Sequence, residues 1–493
     1  MPGKRPNVLF ILSDQHAQRV AGCYGDPAGV TPNLDALAAA GTVFDGAYCA
    51  SPICGPSRMS LMTGRQPHEN RCWLNTDVLN SGTPTFAHAL GAAGYRTALV
   101  GRMHFIGSDQ THGFDERLIG DHSSNWPGNP TFSHGDLSGT SGPAAVSVAK
   151  SGAGTNAYDL KDRDTAAAAV DWLRGAGTAR AEGDDTPFLL TVGFMLPHPP
   201  YVADPDDYAA VAGRVPDMRQ DVPGEDHPWF ERWKRERGIA ELDAAGTQRA
   251  RQAYWGMVRR LDGLIGDVLG ALDEAGFADD TLVIYSSDHG DHLGERGLFW
   301  KHTFYDESAR VPFVVRWPGK VPAGERRPQI FDLTSIPSTI AEAAGARWNG
   351  YGRSVLPVAR DGAAAWEDVA FSENGCTVTN PVPTVETVVQ RMIREGRYKL
   401  NYYHGMPPQL FDLEADPDER VDLADDPANA ATRERLLARV LDGWDPEAIR
   451  VSLDERERDT DIMRTWARQT RPPEAYRWDM PAGRVSGVEQ EEN

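Results

Sequence analysis

The sequence predicts an α/β fold: a central, mostly parallel sheet flanked by helices, followed by a smaller C-terminal α+β subdomain. Three observations lead there. Residues 7–12, 97–100, 188–194 and 281–285 are continuous apolar runs, as strands covered on both faces must be. Helical patterns separate them, as parallel strands require of their crossovers. Each run ends in polar residues: Asp14-Gln15, Arg102 with His104, His198, and Asp288-His289. Ligands of open α/β sheets bind at the carboxyl ends of the strands, so these ends mark a candidate site.

In chain order, the run at 7–12 opens the sheet. Thr31-Pro32 caps a short helix that Gly41 stops. Helices are expected at 84–93, 162–173 and 335–344, and a further strand at 311–315. Residues 121–157 and 203–245 are polar and irregular, the first rich in Gly, Ser, Asn and Pro with Trp126 inside. So long a loop is usually functional. From there to Leu272 a helix carries Tyr254, Met257, Val258, Leu261, Leu264, Ile265, Val268 and Leu269 on one stripe, which is core. Short antiparallel strands at 388–393, 399–403 and 409–413 and a helix at 430–441 form the subdomain. The expected division is a catalytic domain over 1–364, a subdomain over 365–450, and a charged tail over 451–493 with little periodicity.

The chain has 493 residues and a net charge of −21, which disfavours nucleic acid and anionic membrane surfaces as partners. No stretch is apolar for long enough to span a bilayer, and no leader-like run precedes residue 7, so the expected compartment is the cytoplasm. Cys23, Cys49, Cys54, Cys72 and Cys376 are sparse and lack a Cys-x-x-Cys pair, so neither a disulfide framework nor a structural zinc site is indicated.

The chemistry centres on Cys54-Gly55-Pro56-Ser57-Arg58-Met59-Ser60-Leu61-Met62-Thr63-Gly64-Arg65. Pro56 suits the first turn of a helix. Cys54 should therefore lie just before a helix N-terminus, where N–H groups and the dipole favour negative charge. A lone cysteine is more often structural; the surrounding pattern argues for a nucleophile beside an anion site.

Residues 54–65 resemble the signature of the type I sulfatases, members of the alkaline phosphatase superfamily, and the match is closest to the choline-sulfatase-like branch. Residues 7–15, 31–37, 101–114, 287–301 and 409–419 carry further motifs of that family in the same order. The resemblance implies the family's mixed sheet with a small C-terminal sheet. It implies oxidation of Cys54 to Cα-formylglycine by a formylglycine-generating enzyme. It implies a divalent metal held by Asp14, Gln15, residue 54, Asp288 and His289, with Asp291 behind them. Calcium is favoured, with magnesium or manganese open, because Gln15 and His289 stand where many members have Asp and Asn.

The resemblance further implies that Arg58 holds the modified residue, Lys301 and His198 bind sulfate, His198 serves as acid and His104 as base. Arg102 stands where the family usually has Lys, which keeps the charge and changes the donor geometry. Asn75 and Trp126 fall where the choline branch has substrate-contacting residues, and Glu373 is a candidate counter-charge for a cationic alcohol. The implied reaction is hydrolysis of a small sulfate monoester, choline O-sulfate-like or a small alkyl or aryl sulfate. A phosphonate monoester or phosphodiester hydrolase, and an inactive metal-binding homologue, stay open, as does a homo-oligomer.

Overall fold

The computed structural model describes residues 5–129, 135–219, 227–376, 388–481 and 483–489. The N-terminal reading therefore falls partly outside the described residues.

An eight-stranded sheet organises the catalytic part, with strands in the spatial order Glu325–Asp332, Thr42–Tyr48, Phe313–Arg316, Thr281–Ser287, Asn7–Ser13, Phe188–Gly193, Arg96–Gly101 and Glu116–Leu118. Asn7–Ser13 lies at the centre, parallel to both neighbours, with Phe10 opposite Thr191 on one side and Ile284 on the other. Its apolar run divides by alternation. Leu9 and Ile11 enter the core shared with the long helix Ala244–Glu274, and Val8, Phe10 and Leu12 enter the core on the opposite face. That two-sided burial is why the strand reads as continuously apolar.

Phe313–Arg316 is antiparallel to both its neighbours and makes the sheet mixed. Its start lies two residues beyond the expected one, because Val311 and Pro312 lead into it without strand geometry. Glu325–Asp332 is an edge strand that contains Pro328 and a register break between Arg327 and Ile330. Pro is tolerated at an edge, where its missing N–H faces no partner.

The strands Asn7–Ser13, Arg96–Gly101, Phe188–Gly193 and Thr281–Ser287 run in one direction. Their carboxyl ends therefore open on one edge of the sheet. The C-terminal sheet has four antiparallel strands, Val369–Cys376, Val388–Glu395, Tyr398–Tyr403 and Gln409–Asp412, one more than expected. Leu436 and Val440 of the Ala430–Leu441 helix pack on it against Ile393, Leu400 and Leu410.

Three further stretches differ from the sequence expectation. Residues 203–245 include the helices Pro205–Ala210 and Pro228–Arg237. The expected helix over 162–173 runs from Ala157 to Ala181, capped by the Asn156 side chain. The tail holds a helix, Pro446–Thr470, capped by Asp445, of which only Leu453 and Ala467 are buried. So thin an apolar stripe leaves no helical period to read.

Candidate active site

Cys54 is the first residue of the Cys54–Thr63 helix, all of which is buried. The expectation had placed it one step before. Ile53 is extended and offers no side-chain cap, and Ser57 N–H makes the first helical bond, to Ile53 O at 3.0 Å. Gly55 N–H instead donates to Asn75 Oδ1 at 2.8 Å, so Asn75 caps the turn that carries Cys54. The helix ends at Gly64, whose left-handed φ of 64° lets the chain turn out.

The strand ends converge on Cys54 Sγ. His289 Nε2 lies 3.2 Å from it, Lys301 Nζ 3.2 Å and Asp14 Oδ1 3.4 Å. Burial pushes the thiol up to about 12, helped by the Asp14 charge and opposed by Lys301. The cysteine is thus a neutral thiol at neutral pH and a poor nucleophile as it stands.

Asp14, Cys54, Asp288 and His289 present ligand atoms that all lie within 4.8 Å of one another. His289 Nε2 is 3.8 Å from Asp14 Oδ1 and 3.6 Å from Asp288 Oδ1. The outer carboxylate oxygens are engaged elsewhere. Arg58 donates through Nε to Asp288 Oδ2 at 2.8 Å and through Nη2 to Asp14 Oδ2 at 3.2 Å. Arg58 therefore ties the two carboxylates together and leaves their Oδ1 atoms aimed inward. Two carboxylates and an imidazole fit a divalent cation that accepts oxygen and nitrogen.

Gln15 borders this cluster. Its Nε2 donates to Asp291 Oδ2 at 2.7 Å, which leaves Oε1 to accept from Lys301 Nζ at 2.6 Å. A carboxylate can only accept and an ammonium only donate, so the amide orientation is fixed. Asp291 also accepts from Tyr201 OH at 2.7 Å and, through Oδ1, from Trp300 N at 3.0 Å. It thereby holds the backbone beside Lys301.

Arg102 is buried and fully engaged. Nε donates to Asp14 Oδ2 at 2.6 Å, Nη1 to Asp121 Oδ1 at 3.0 Å and Nη2 to His104 Nδ1 at 2.8 Å. A guanidinium cannot accept a hydrogen bond, so His104 carries its proton on Nε2. His198 is the opposite case. Its Nδ1 lies 2.6 Å from Pro199 O, which can only accept, so Nδ1 carries the proton and Nε2 the lone pair. Both rings are held well below the usual histidine range, His104 by burial and Arg102, His198 by burial and Lys301. Burial would raise the Asp14 carboxyl, but the charges of Arg102, Arg58 and Lys301 hold it well below its ordinary value.

The sulfatase family model matches residues 6–346, and a model for the C-terminal region of N-sulphoglucosamine sulphohydrolase matches residues 294–443. The chain belongs to the sulfatase family. A choline-sulfatase of Rhizobium meliloti (strain 1021) is 32% identical over 489 residues, covering 92% of this chain and 90% of its own. A putative sulfatase from Bacteroides thetaiotaomicron superposes with a TM-score of 0.72 at 24% identity, over 90% of this chain and 94% of its own. The phosphonate monoester hydrolase of Agrobacterium radiobacter does so with a TM-score of 0.71 at 23% identity, over 91% and 96%. The fold is that of the alkaline phosphatase superfamily, and the chain is a sulfatase enzyme.

Two substrate candidates of this sulfatase lie in other surroundings. Trp126 donates from Nε1 to Pro473 O at 3.3 Å and meets Trp466 edge-on at 5.4 Å between ring centres. Its indole is thus joined to the C-terminal helix and the segment after it. Glu373 is fully buried and accepts from His68 N at 3.0 Å, with His68 Nδ1 at 2.7 Å and Arg391 Nε at 3.2 Å. Its charge already has a partner.

Sequence reasoning missed Asp121 and Tyr158. Asp121 follows the short strand Glu116–Leu118, which was not recognised; recognising it would have brought Asp121 under the strand-end rule. Tyr158 OH lies 3.2 Å from His122 Nε2, and its ring meets His198 edge-on at 5.8 Å. It sits on the first turn of a helix that was expected to begin later.

Proposed function

We propose that this sulfatase hydrolyses a small organic sulfate monoester to alcohol and sulfate, using formylglycine derived from Cys54 and a divalent metal. One observation carries the reading: within the signature at 54–65, Cys54 Sγ meets His289, Lys301 and Asp14 at 3.2–3.4 Å. Calcium is the first choice of metal, held by Asp14, Asp288, His289 and residue 54, with Gln15 alongside. When bound, the metal supplies Lewis acidity toward oxygen at neutral pH. The aldehyde, when hydrated, supplies a hydroxyl nucleophile that a buried thiol is not.

The chain's own residues do the rest. Arg58 keeps Asp14 and Asp288 from turning away. Lys301 and Arg102 supply buried positive charge where negative charge develops on the sulfuryl oxygens, and low surrounding polarity strengthens that effect. The tautomers recast the roles that the resemblance implies. His198 Nε2 holds the lone pair, so it can act as acid toward the leaving alkoxide only after taking the proton that the attacking hydroxyl of the hydrated aldehyde releases. His104 Nε2–H is a hydrogen-bond donor in the same state.

Choline O-sulfate is the leading substrate, on the strength of the similarity to a choline-sulfatase; small alkyl and aryl sulfates follow. The test is a panel of sulfate, phosphate and phosphonate esters on protein co-expressed with a formylglycine-generating enzyme. Sulfate ester turnover at least 100-fold above the others is expected. Preference for a phosphonate monoester would replace the reading with the phosphonate hydrolase one, and no turnover of any ester would favour the inactive homologue.

A further inference from the structure

Arg102 stands where the resemblance implies a lysine, and it reaches Asp14, Asp121 and His104 from three separate nitrogens where a lysine has one. Asp121 is the least expected of them. Its Oδ1 accepts from Arg102 Nη1 at 3.0 Å and from His122 N at 2.8 Å, and its Oδ2 accepts from His104 N at 2.8 Å. One carboxylate thus grips the guanidinium of Arg102 and the backbone of His104. The grip on His104 has a task, because that residue sits at a left-handed φ of 65°, a conformation uncommon for a residue with a side chain.

Asp121 is itself held from outside the catalytic sheet. Its N–H donates to Tyr476 O at 2.9 Å, and Trp478 N–H donates to Asp121 O at 2.8 Å, so residues 476–478 run beside it as a strand would. The same C-terminal segment holds the next residues of the loop. Glu474 accepts from Asn125 N at 2.5 Å and Ser124 Oγ at 2.7 Å, and Ala475 O accepts from Asn125 Nδ2 at 3.0 Å. Trp478 Nε1 anchors the segment to Asp164 at 2.8 Å. The approach is close: a Cβ added at Gly120 would lie 1.5 Å from Tyr476 O.

We propose that Asp121, fixed by a C-terminal strap over residues 474–478, is a positioning residue that aims Arg102 and His104 at the reacting ester. The proposal rests on the sulfatase reading above. The chain of contacts is unbroken. The strap sets the Asp121 backbone, its carboxylate sets Arg102 Nη1 and the His104 backbone, and Arg102 Nη2 then fixes which nitrogen of His104 carries the proton. A carboxylate suits this place because each oxygen accepts from a backbone or guanidinium N–H; an amide would turn an NH2 group toward one of them.

The test compares Asp121→Ala, Asp121→Asn and Gly120→Ala with wild type, by steady-state kinetics on modified enzyme and by crystal structures. Asp121→Ala should lower kcat about 100-fold, comparable to losing one preorganised donor, with KM changed less than threefold. Asp121→Asn should recover part of that loss, since its oxygen can still serve Arg102. Gly120→Ala should reproduce the kcat loss by displacing the strap, with the core still folded by circular dichroism. Introducing Arg102→Lys should shrink the effect of Asp121→Ala without abolishing it, because an ammonium engaged with Asp14 leaves Asp121 only the His104 backbone to hold. In the crystal structure of Asp121→Ala, Arg102 Nη1 and the His104 ring should have moved. A kcat within threefold of wild type, a loss confined to KM, or unmoved Arg102 and His104 would overturn the proposal. Gly120→Ala at wild-type rate would overturn the part played by the strap. If wild type turns over no sulfate ester, the sulfatase reading fails, and the crystal structures still decide whether Asp121 positions Arg102 and His104.

Discussion

Lys301 Nζ stands 3.2 Å from Cys54 Sγ, yet the thiol it faces is pushed up to about 12. One nearby ammonium does not offset full burial and the Asp14 charge. Its chemistry as a thiol is suppressed, and the proposed reaction requires its conversion to formylglycine. Peptides spanning residue 54 from active protein should show aldehyde or its hydrate by mass spectrometry. Protein carrying only the thiol should be at least 1000-fold less active at pH 7, and full activity from it would refute the modified nucleophile. Cys54→Ala should abolish turnover and leave thermal stability within about 1 kcal/mol of wild type, since only a sulfhydryl is lost.

The metal prediction turns on His289. Its Nε2 is the one nitrogen among the clustered ligand atoms of the described residues. Imidazole suits manganese better than calcium, whereas an amide oxygen suits calcium. His289→Asn should therefore shift the ratio of calcium to manganese affinity about tenfold toward calcium. The readout is the melting temperature against added metal, because a ligand that binds only folded protein stabilises it by mass action. An unchanged ratio would mean that His289 does not ligate.

Much of this site was legible because four of its strands carry a buried, mostly apolar run. The apolar run marks the strand, and the polar residues that follow it mark its carboxyl end, so Asp14, Arg102, His198 and Asp288 could be placed at one sheet edge from the sequence. Other features left weaker marks. The strand Glu325–Asp332 begins with charged residues and contains Pro328, because it lies at the edge and needs partners on one side only. The helix Pro446–Thr470 buries too little to show a period. Asp121 depends on a strand of three residues, too short for any pattern. Glu373 is a candidate counter-charge from the sequence, and only the fold brings Arg391 and His68 to it.

Acid should destabilise the protein through buried neutral histidines. His292 donates or accepts at Nε2 with Thr303 Oγ1 at 2.7 Å, and burial pushes it down to about 3 despite the Glu307 charge nearby. The ring ionises near 6.5 when unfolded. Its contribution to stability is therefore intact above pH 6.5 and is lost as pH falls toward 3. The slope is about 1.4 kcal/mol per pH unit, or roughly 2 kcal/mol by pH 5. Urea unfolding at pH 7 and pH 5 should show His292→Gln losing about that much less than wild type over the interval. Parallel losses in the two proteins would assign the acid sensitivity to other groups.

The last prediction concerns the cationic end of the substrate. A quaternary ammonium needs an aromatic face, and Trp126 is the sequence's candidate, worth about 0.5–2 kcal/mol if it stacks on the cation. The structure gives the indole a second occupation, edge-on to Trp466 and bonded to Pro473 O. Replacing it would therefore also loosen the C-terminal helix and the strap beyond it, and a lost activity alone would not separate the two. Trp466→Ala separates them, because it removes the same edge-on contact and leaves the Trp126 ring in place. If Trp126 recognises the cation, Trp126→Ala should raise KM for choline O-sulfate about threefold to thirtyfold while KM for an uncharged aryl sulfate stays within twofold. Trp466→Ala should then affect both substrates alike. Equal losses on both substrates in Trp126→Ala, matching those of Trp466→Ala, would make Trp126 an anchor for the C-terminal helix and leave cation recognition to another residue.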